Sequence, residues 1–205
     1  MSAIPARTGS GTFAAKPARL AVMSANATDE ALMIAYCNGD ADAFARLYDR
    51  HRSALYRFIR RQCADAVADE LFQDVWTRLI TARRLYQPTA KFSTYLYQVA
   101  RNRLIDHFRS NGRSLEDSTG DDPPQAPAAS GHQPENAAQT RQQASQLLAL
   151  IEGLPPAQRE AFLLHQEAGL TLEEIGEVTG VGRETVKSRL RYALANLRQG
   201  MEGWL

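Results

Sequence analysis

The stretch Thr171-Leu172-Glu173-Glu174-Ile175-Gly176-Glu177-Val178-Thr179-Gly180-Val181-Gly182-Arg183-Glu184-Thr185-Val186-Lys187-Ser188-Arg189-Leu190 decides the fold class of this chain. Thr171 followed three residues later by Glu174 is a capping box, in which each side chain accepts from the other residue's backbone N–H. The short helix it opens carries Ile175 and Val178 inward, and Gly180 supplies a tight turn. From about Arg183, Val186, Leu190, Ala193, Leu194 and Leu197 recur at helical spacing. A short capped helix, a glycine turn and a longer helix packed through Ile175, Val186 and Leu190 form a helix-turn-helix pattern. The second helix of that motif commonly lies in the DNA major groove, with its N-terminal residues toward base edges. The outward positions near that end are Arg183, Glu184, Lys187, Ser188 and Arg191. Arg and Lys can donate to guanine or phosphate, Ser to phosphate, and Glu can accept from cytosine. The same spacing also fits the solvated face of an ordinary three-helix domain.

Working back from this motif, Pro155 and Pro156 sit where a helix begins, since proline is tolerated in a first turn. Ala161, Phe162 and Leu164 lie on that helix, which Gly169 can end. A preceding helix bears Leu147, Leu148 and Ile151. Residues 111–140 read differently. This segment contains Pro123, Pro124, Pro127 and Pro134 and shows no apolar periodicity. It cannot bury enough surface to offset chain entropy, so a flexible linker is expected there. About 30 structureless residues inside one compact domain would be unusual, which favours two small domains.

The first block, 29–110, reads as helices throughout. Phe44, Leu47, Tyr48, His51, Leu55, Phe58 and Ile59 recur at three- and four-residue intervals, with Asp40 placed as the cap. Val67, Leu71, Phe72, Val75, Trp76, Leu79 and Ile80 make a second apolar face. Ser93 is the expected cap of a third helix with Leu96, Val99, Ala100, Leu104 and Phe108 inward. The expected fold is therefore all-α: two small helical domains, 29–110 and 141–205, joined by a linker, the second containing the helix-turn-helix. Residues 1–28 are expected to be a disordered tail, with Met23 an alternative start.

The formal net charge of +1 rules out a simple basic coat for nucleic acid, but it conceals a basic first half and an acidic linker. Two cysteines, Cys37 and Cys63, supply no disulfide framework and suggest a reducing, cytoplasmic setting. They stand at no zinc-ligand spacing with the four histidines, so neither a metal nor another cofactor is expected. No apolar run approaches the roughly 18 residues of a membrane span.

Two surfaces of the first block carry candidate chemistry. Asp69, Glu70, Gln73 and Asp74 lie opposite the Leu71/Val75/Leu79 stripe and suit docking against a basic partner, or simply form a solvated helix face. No nucleophile or histidine stands beside them, so the sequence offers no catalytic constellation. The other surface interleaves rings and cations: Tyr86, Lys91, Phe92, Tyr95, Tyr97, Arg101, Asn102, Arg103 and Arg109. Unstacked bases can lie on such rings while the cations follow phosphates, at roughly 1–3 kcal/mol per stacked base. Half of these rings could equally be core, Phe92 and Tyr95 among them.

Together these pieces resemble the extracytoplasmic-function (group IV) sigma factors of bacterial RNA polymerase, in the sigma-70 family. Ala68-Asp69-Glu70-Leu71-Phe72-Gln73-Asp74-Val75-Trp76 is similar to the region 2.2 helix, which in the family docks on the clamp of the β′ subunit. Phe92-Ser93-Thr94-Tyr95-Leu96-Tyr97-Gln98-Val99-Ala100-Arg101-Asn102-Arg103-Leu104-Ile105-Asp106-His107-Phe108-Arg109 resembles regions 2.3 and 2.4, which open and read the −10 element. Thr185-Val186-Lys187-Ser188-Arg189-Leu190 resembles the region 4.2 recognition helix for the −35 element. The resemblance implies a non-enzymatic specificity subunit for core RNA polymerase, touching its β′ clamp and β subunit, with promoter DNA as second partner and an anti-sigma factor as a further one. It implies polymerase binding by Asp69, Glu70, Gln73 and Asp74. It implies −10 contacts by Lys91, Phe92, Tyr95, Arg101, Asn102, Arg103 and Arg109. It implies −35 contacts by Arg183, Glu184, Lys187, Ser188 and Arg191. Two departures stand out: Tyr95 replaces the family's usual Trp, and Gly182 stands where a Ser/Thr cap is commoner. The competing expectation is a free-standing helix-turn-helix regulator, which would bind an operator without polymerase, usually as a dimer.

Overall fold

The computed structural model describes residues 26–110, Gly112 and residues 136–202, and among these every regular element is helical. The order is α1 (Asp29–Cys37), α2 (Ala41–Arg60), α3 (Asp65–Ala82), a 3-10 turn (Arg83–Leu85), α4 (Phe92–Ser110), α5 (Asn136–Glu152), α6 (Pro156–Gln166), α7 (Leu172–Thr179) and α8 (Arg183–Met201). The expected tail lies almost wholly outside the described residues, as does most of the expected linker. One boundary differs: α5 begins at Asn136, inside the stretch read as linker. Beyond Pro134 the chain runs Asn136-Ala137-Ala138-Gln139, and alanine and glutamine favour helix once proline is past.

In the first half, α2 starts where Asp40 Oδ1 accepts from the N–H groups of Asp42 and Ala43 at 3.0 and 3.1 Å. Helices α1 to α4 pack around Leu47, Leu55, Phe58, Leu79, Leu96, Tyr97 and Leu104, all fully buried. Phe58 meets Tyr97 edge-on, with ring centroids 5.1 Å apart. Burying each such side chain stabilises the fold by roughly 1.5–3 kcal/mol. Asp29 ties α1 to α2 by accepting from Arg50 Nη1 at 2.6 Å and by pairing with His51 Nε2 at 2.7 Å. The start of α4 differs from the serine cap expected for it. A Ser93 cap would start the helix at Thr94, whereas it begins two residues earlier, at Phe92, whose N–H donates to Glu30 Oε1 of α1 at 2.7 Å.

In the second half, the capping box is present as read: Thr171 Oγ1 accepts from Glu174 N–H at 3.3 Å, and Glu174 Oε2 accepts from Thr171 N–H at 2.9 Å. Gly180 ends α7 in the left-handed region, at φ 73°. A second glycine is required by close approach. A Cβ on Gly176 would lie 2.8 Å from the Val181 carbonyl oxygen, because the turn folds back over α7. Helix α8 starts at Gly182 without a side-chain cap, its first turn closed by Val186 N–H on Gly182 O at 3.1 Å. Ile175, Val186, Ala193 and Leu197 bury the seam, and Asn196 Nδ2 donates to Gln158 Oε1 at 3.0 Å to join α8 to α6. The two halves touch where α4 crosses α7.

Candidate nucleic-acid and polymerase interfaces

The acidic surface lies on α3. Asp69, Glu70 and Gln73 are exposed, while Asp74 is half-buried. Asp74 pairs with Arg103 of α4, so it holds two helices together as well as facing outward. Asp69 Oδ1 accepts from the Tyr56 hydroxyl at 2.9 Å, and that bond to the phenol raises the Tyr56 pKa. Glu70 and Gln73 are therefore the members of the quartet most openly presented.

The basic and aromatic surface lies on α4 and the segment before it. Asn102 and Arg109 are exposed, Tyr95 is half-buried, and Arg103 is held by Asp74 and by Asp106 at 3.6 Å. Phe92 is fully buried, so its ring serves the core and is not offered to a base. The four-residue spacing of Phe92, Leu96, Ala100 and Leu104 explains this: extended back by one turn, the inner stripe of α4 includes Phe92. Tyr97 is likewise core, and its burial raises the phenol pKa. Tyr86 packs against Tyr95 with ring centroids 5.4 Å apart, and burial of its hydroxyl moves the pKa up to about 12. The neighbouring 3-10 turn leaves Leu85 82% exposed, close to the loop Gln87-Pro88-Thr89-Ala90-Lys91.

The third surface is the N-terminal half of α8. Arg183, Glu184, Lys187 and Arg191 are exposed and Ser188 is half-buried. Arg183 pairs with Glu173 at 2.5 Å and Glu184 at 3.1 Å, and Lys187 pairs with Glu184 at 3.4 Å. Exposed pairs of this kind contribute about 0–1 kcal/mol each, so they orient the cations without committing them. The Arg191 guanidinium stacks over the Tyr192 ring, 5.0 Å from its centroid.

The contacts between the halves were not legible in the sequence. Lys91 Nζ meets Glu174 Oε1 at 2.7 Å, and Arg101 Nε meets Glu160 Oε1 at 3.0 Å. Glu167 receives both Arg57, at 2.7 Å, and Arg61, at 3.2 Å. The Arg101–Glu160 pair is mostly withdrawn from water, with side chains 14% and 6% exposed. One sequence signal pointed there: Glu160 is in phase with Leu163 and Leu164, a carboxylate on an apolar stripe.

The chain thus joins a helical first half with an acidic and a basic-aromatic face to a helix-turn-helix half. Family models agree: Sigma-70 region 2 matches residues 47–114 and Sigma-70 region 4 matches residues 150–199. The ECF RNA polymerase sigma factor RpoE of Cereibacter sphaeroides is 30% identical over 164 residues, covering 79% of this chain and 88% of that protein. The ECF sigma factor BldN of Streptomyces coelicolor is 32% identical over 160 residues, covering 75% of this chain but 58% of BldN. The fold is shared with CnrH, solved in complex with the cytosolic domain of CnrY, at a TM-score of 0.63 and 22% identity, covering 85% of this chain and 97% of that one. The chain belongs to the extracytoplasmic-function sigma factors of the sigma-70 family. No described helix is long and apolar enough to cross a membrane.

Proposed function

We propose that this chain is a promoter-specificity subunit that binds core RNA polymerase in the cytoplasm, opens and reads the −10 element with its first half and reads the −35 element with its second. Residues 29–110 form the region 2 unit, the helices from α5 onward the region 4 unit, and the residues between Ser110 and Asn136 the connector. The observation that carries this reading is one chain presenting two separate nucleic-acid faces, α4 with its preceding loop and the N-terminal half of α8, beside the carboxylates of α3. Glu70 and Gln73, with Asp69 and Asp74 at their flanks, contact the basic clamp of the β′ subunit. Lys91, Tyr95, Arg101, Asn102, Arg103 and Arg109 serve the non-template strand, and Phe92 anchors the helix that carries them. Base flipping costs a few kcal/mol, which the polymerase complex must supply in part. Arg183, Lys187 and Arg191 face the −35 duplex, with Glu184 and Ser188 between them. A protein of the anti-sigma kind fits the same surfaces.

The test is co-elution with sigma-free bacterial core polymerase on a sizing column at moderate salt. The wild-type chain co-elutes, and Asp69→Lys with Glu70→Lys weakens binding at least tenfold while far-UV circular dichroism stays unchanged. A folded wild-type chain that does not bind core polymerase would overturn the proposal and favour the free-standing regulator.

A further inference from the structure

Away from its buried residues Val186, Leu190, Ala193 and Leu197, helix α8 presents two neighbouring ridges, each running at four-residue spacing. One ridge is Arg183, Lys187 and Arg191; the other is Glu184, Ser188 and Tyr192. Five of these six residues make up the proposed −35 surface, and Tyr192 completes the second ridge. We infer that Tyr192 is a specificity-determining residue of this surface: its ring packs against the C5 methyl group of a thymine in the major groove, while Arg191 beside it takes a neighbouring base edge. The inference rests on the reading of α8 as the −35 helix and adds to it one contact with a stated base.

The surroundings of the ring support this role. Three large apolar side chains of α8 are exposed: Tyr192 at 40%, Leu194 at 45% and Met201 at 41%. Leu194 and Met201 stand four residues beyond the buried Leu190 and Leu197, so they edge the core. Tyr192 alone of the three stands four residues beyond Ser188, on an outward ridge. Its ring is also held in place. The Arg191 guanidinium stacks over it, 5.0 Å from the centroid, and Arg191 Nη2 donates to the Tyr192 hydroxyl at 3.3 Å. One ring face is covered and the phenol oxygen is engaged, so the other face and the ring edge are what a ligand meets. That remaining surface is apolar, and a tyrosine with only two side-chain torsions loses little entropy on contact.

The chemistry of the groove selects the partner. Thymine is the one base with an apolar group on its major-groove edge, the C5 methyl, and protein carbons are its usual complement. Phosphates suit the other ridge, which holds three cations, whereas the ridge of Tyr192 carries Glu184 and no cation.

The experiment uses holoenzymes assembled from core RNA polymerase and the full chain as wild type, Tyr192→Ala or Tyr192→Phe. Each variant is checked by circular dichroism and by co-elution with core polymerase. The −35 sequence that the wild-type holoenzyme prefers is selected from duplexes of randomised sequence. Affinities are then measured by fluorescence anisotropy with each −35 thymine replaced in turn by deoxyuridine, which lacks only the C5 methyl.

One replacement should weaken the wild-type and Tyr192→Phe holoenzymes about fourfold, the effect of one buried methyl group, and leave Tyr192→Ala unchanged. Equal uracil sensitivity in wild type and Tyr192→Ala overturns the inference. So does a wild type insensitive at every thymine, or a −35 element without one; in these cases the −35 reading of α8 still stands. Equal weakening by Tyr192→Phe and Tyr192→Ala on every sequence would assign the phenol to a phosphate, which also overturns the methyl contact. Selection that yields no −35 element overturns the reading of α8, and the inference falls with it.

Discussion

Replacing Glu30 by alanine will loosen the start of α4, the helix on which the proposed −10 contacts sit. The Phe92 N–H donates to Glu30 Oε1 at 2.7 Å, across a separation of 62 residues. Losing a capping side chain costs about 1 kcal/mol, and losing a negative charge at a helix N-terminus costs a further 0.3–1 kcal/mol or so. The two sum to about 1.5–2 kcal/mol. With a urea m-value of about 2 kcal/mol/M, the denaturation midpoint should fall by roughly 0.7–1 M with m unchanged. Glu30→Gln keeps an acceptor oxygen and loses only the charge, so its midpoint should fall by less than half as much. The neighbouring Asp29, which serves Arg50 and His51, makes no part of this cap and stays in place in both variants. Equal midpoints for Glu30→Ala and the wild type would refute the cap. Equal losses in the Ala and Gln variants would show that charge alone acts, without the directed bond.

Two further outcomes follow from titrating groups. Burial raises the Glu174 pKa, but the Lys91 ammonium and the Thr171 N–H and hydroxyl outweigh it and hold the carboxyl below its ordinary 4.5. A depressed carboxyl stabilises the fold in its charged form, so this contribution is complete above about pH 4.5 and is lost as pH falls through the lower folded value. Urea midpoints measured between pH 3 and 5 should show an acid-sensitive limb that Glu174→Gln flattens; an identical limb in the variant would refute the assignment. Burial, with Asp65 nearby, pushes the Cys63 thiol up to about 11, against an ordinary 9.0, so its thiolate fraction at neutral pH is about a hundredfold smaller than usual. Burial raises Cys37 as well, and its Sγ–H donates to the Arg83 carbonyl at 2.8 Å. Both thiols should therefore react slowly with an aromatic disulfide reagent at pH 7.5 and fast in urea; equal rates in both conditions would refute this.

What could be read from the sequence was local. Asp40 before α2, Thr171 with Glu174, Gly180 and the Val186/Leu190/Ala193/Leu197 stripe each act within one or two turns, so spacing alone reveals them. The four-residue rule, carried one turn further back, decides between the two readings of Phe92 in favour of the core. Ser93 was read as a cap because a hydroxyl at a helix start is the usual local solution, whereas the donor is satisfied from α1. Contacts that close over 59 or 110 residues, Arg101 with Glu160 and Arg57 with Glu167, leave no periodic trace. At most, a carboxylate stands out of place on an apolar stripe.

The acid content of the second half thereby acquires two distinct meanings. Counted as net charge, residues 141–205 carry 7 basic and 8 acidic side chains, and a helix-turn-helix half so nearly neutral would hold DNA weakly when acting alone. Located in space, it divides by burial. Glu173 and Glu184 are exposed, the side chains at 60% and 74%, and they face the recognition-helix cations Arg183 and Lys187. In the function proposed above, duplex phosphates would displace pairs so open to water at little cost, so these acids would not block access. Glu160 and Glu167, with side chains at 6% and 10%, lie on the opposite seam against the first half, where an anion must be exchanged for another anion before the cations change partner. The water-open pairs on α8 thus leave its cations exchangeable, whereas the drier pairs of Glu160 and Glu167 hold the two halves together.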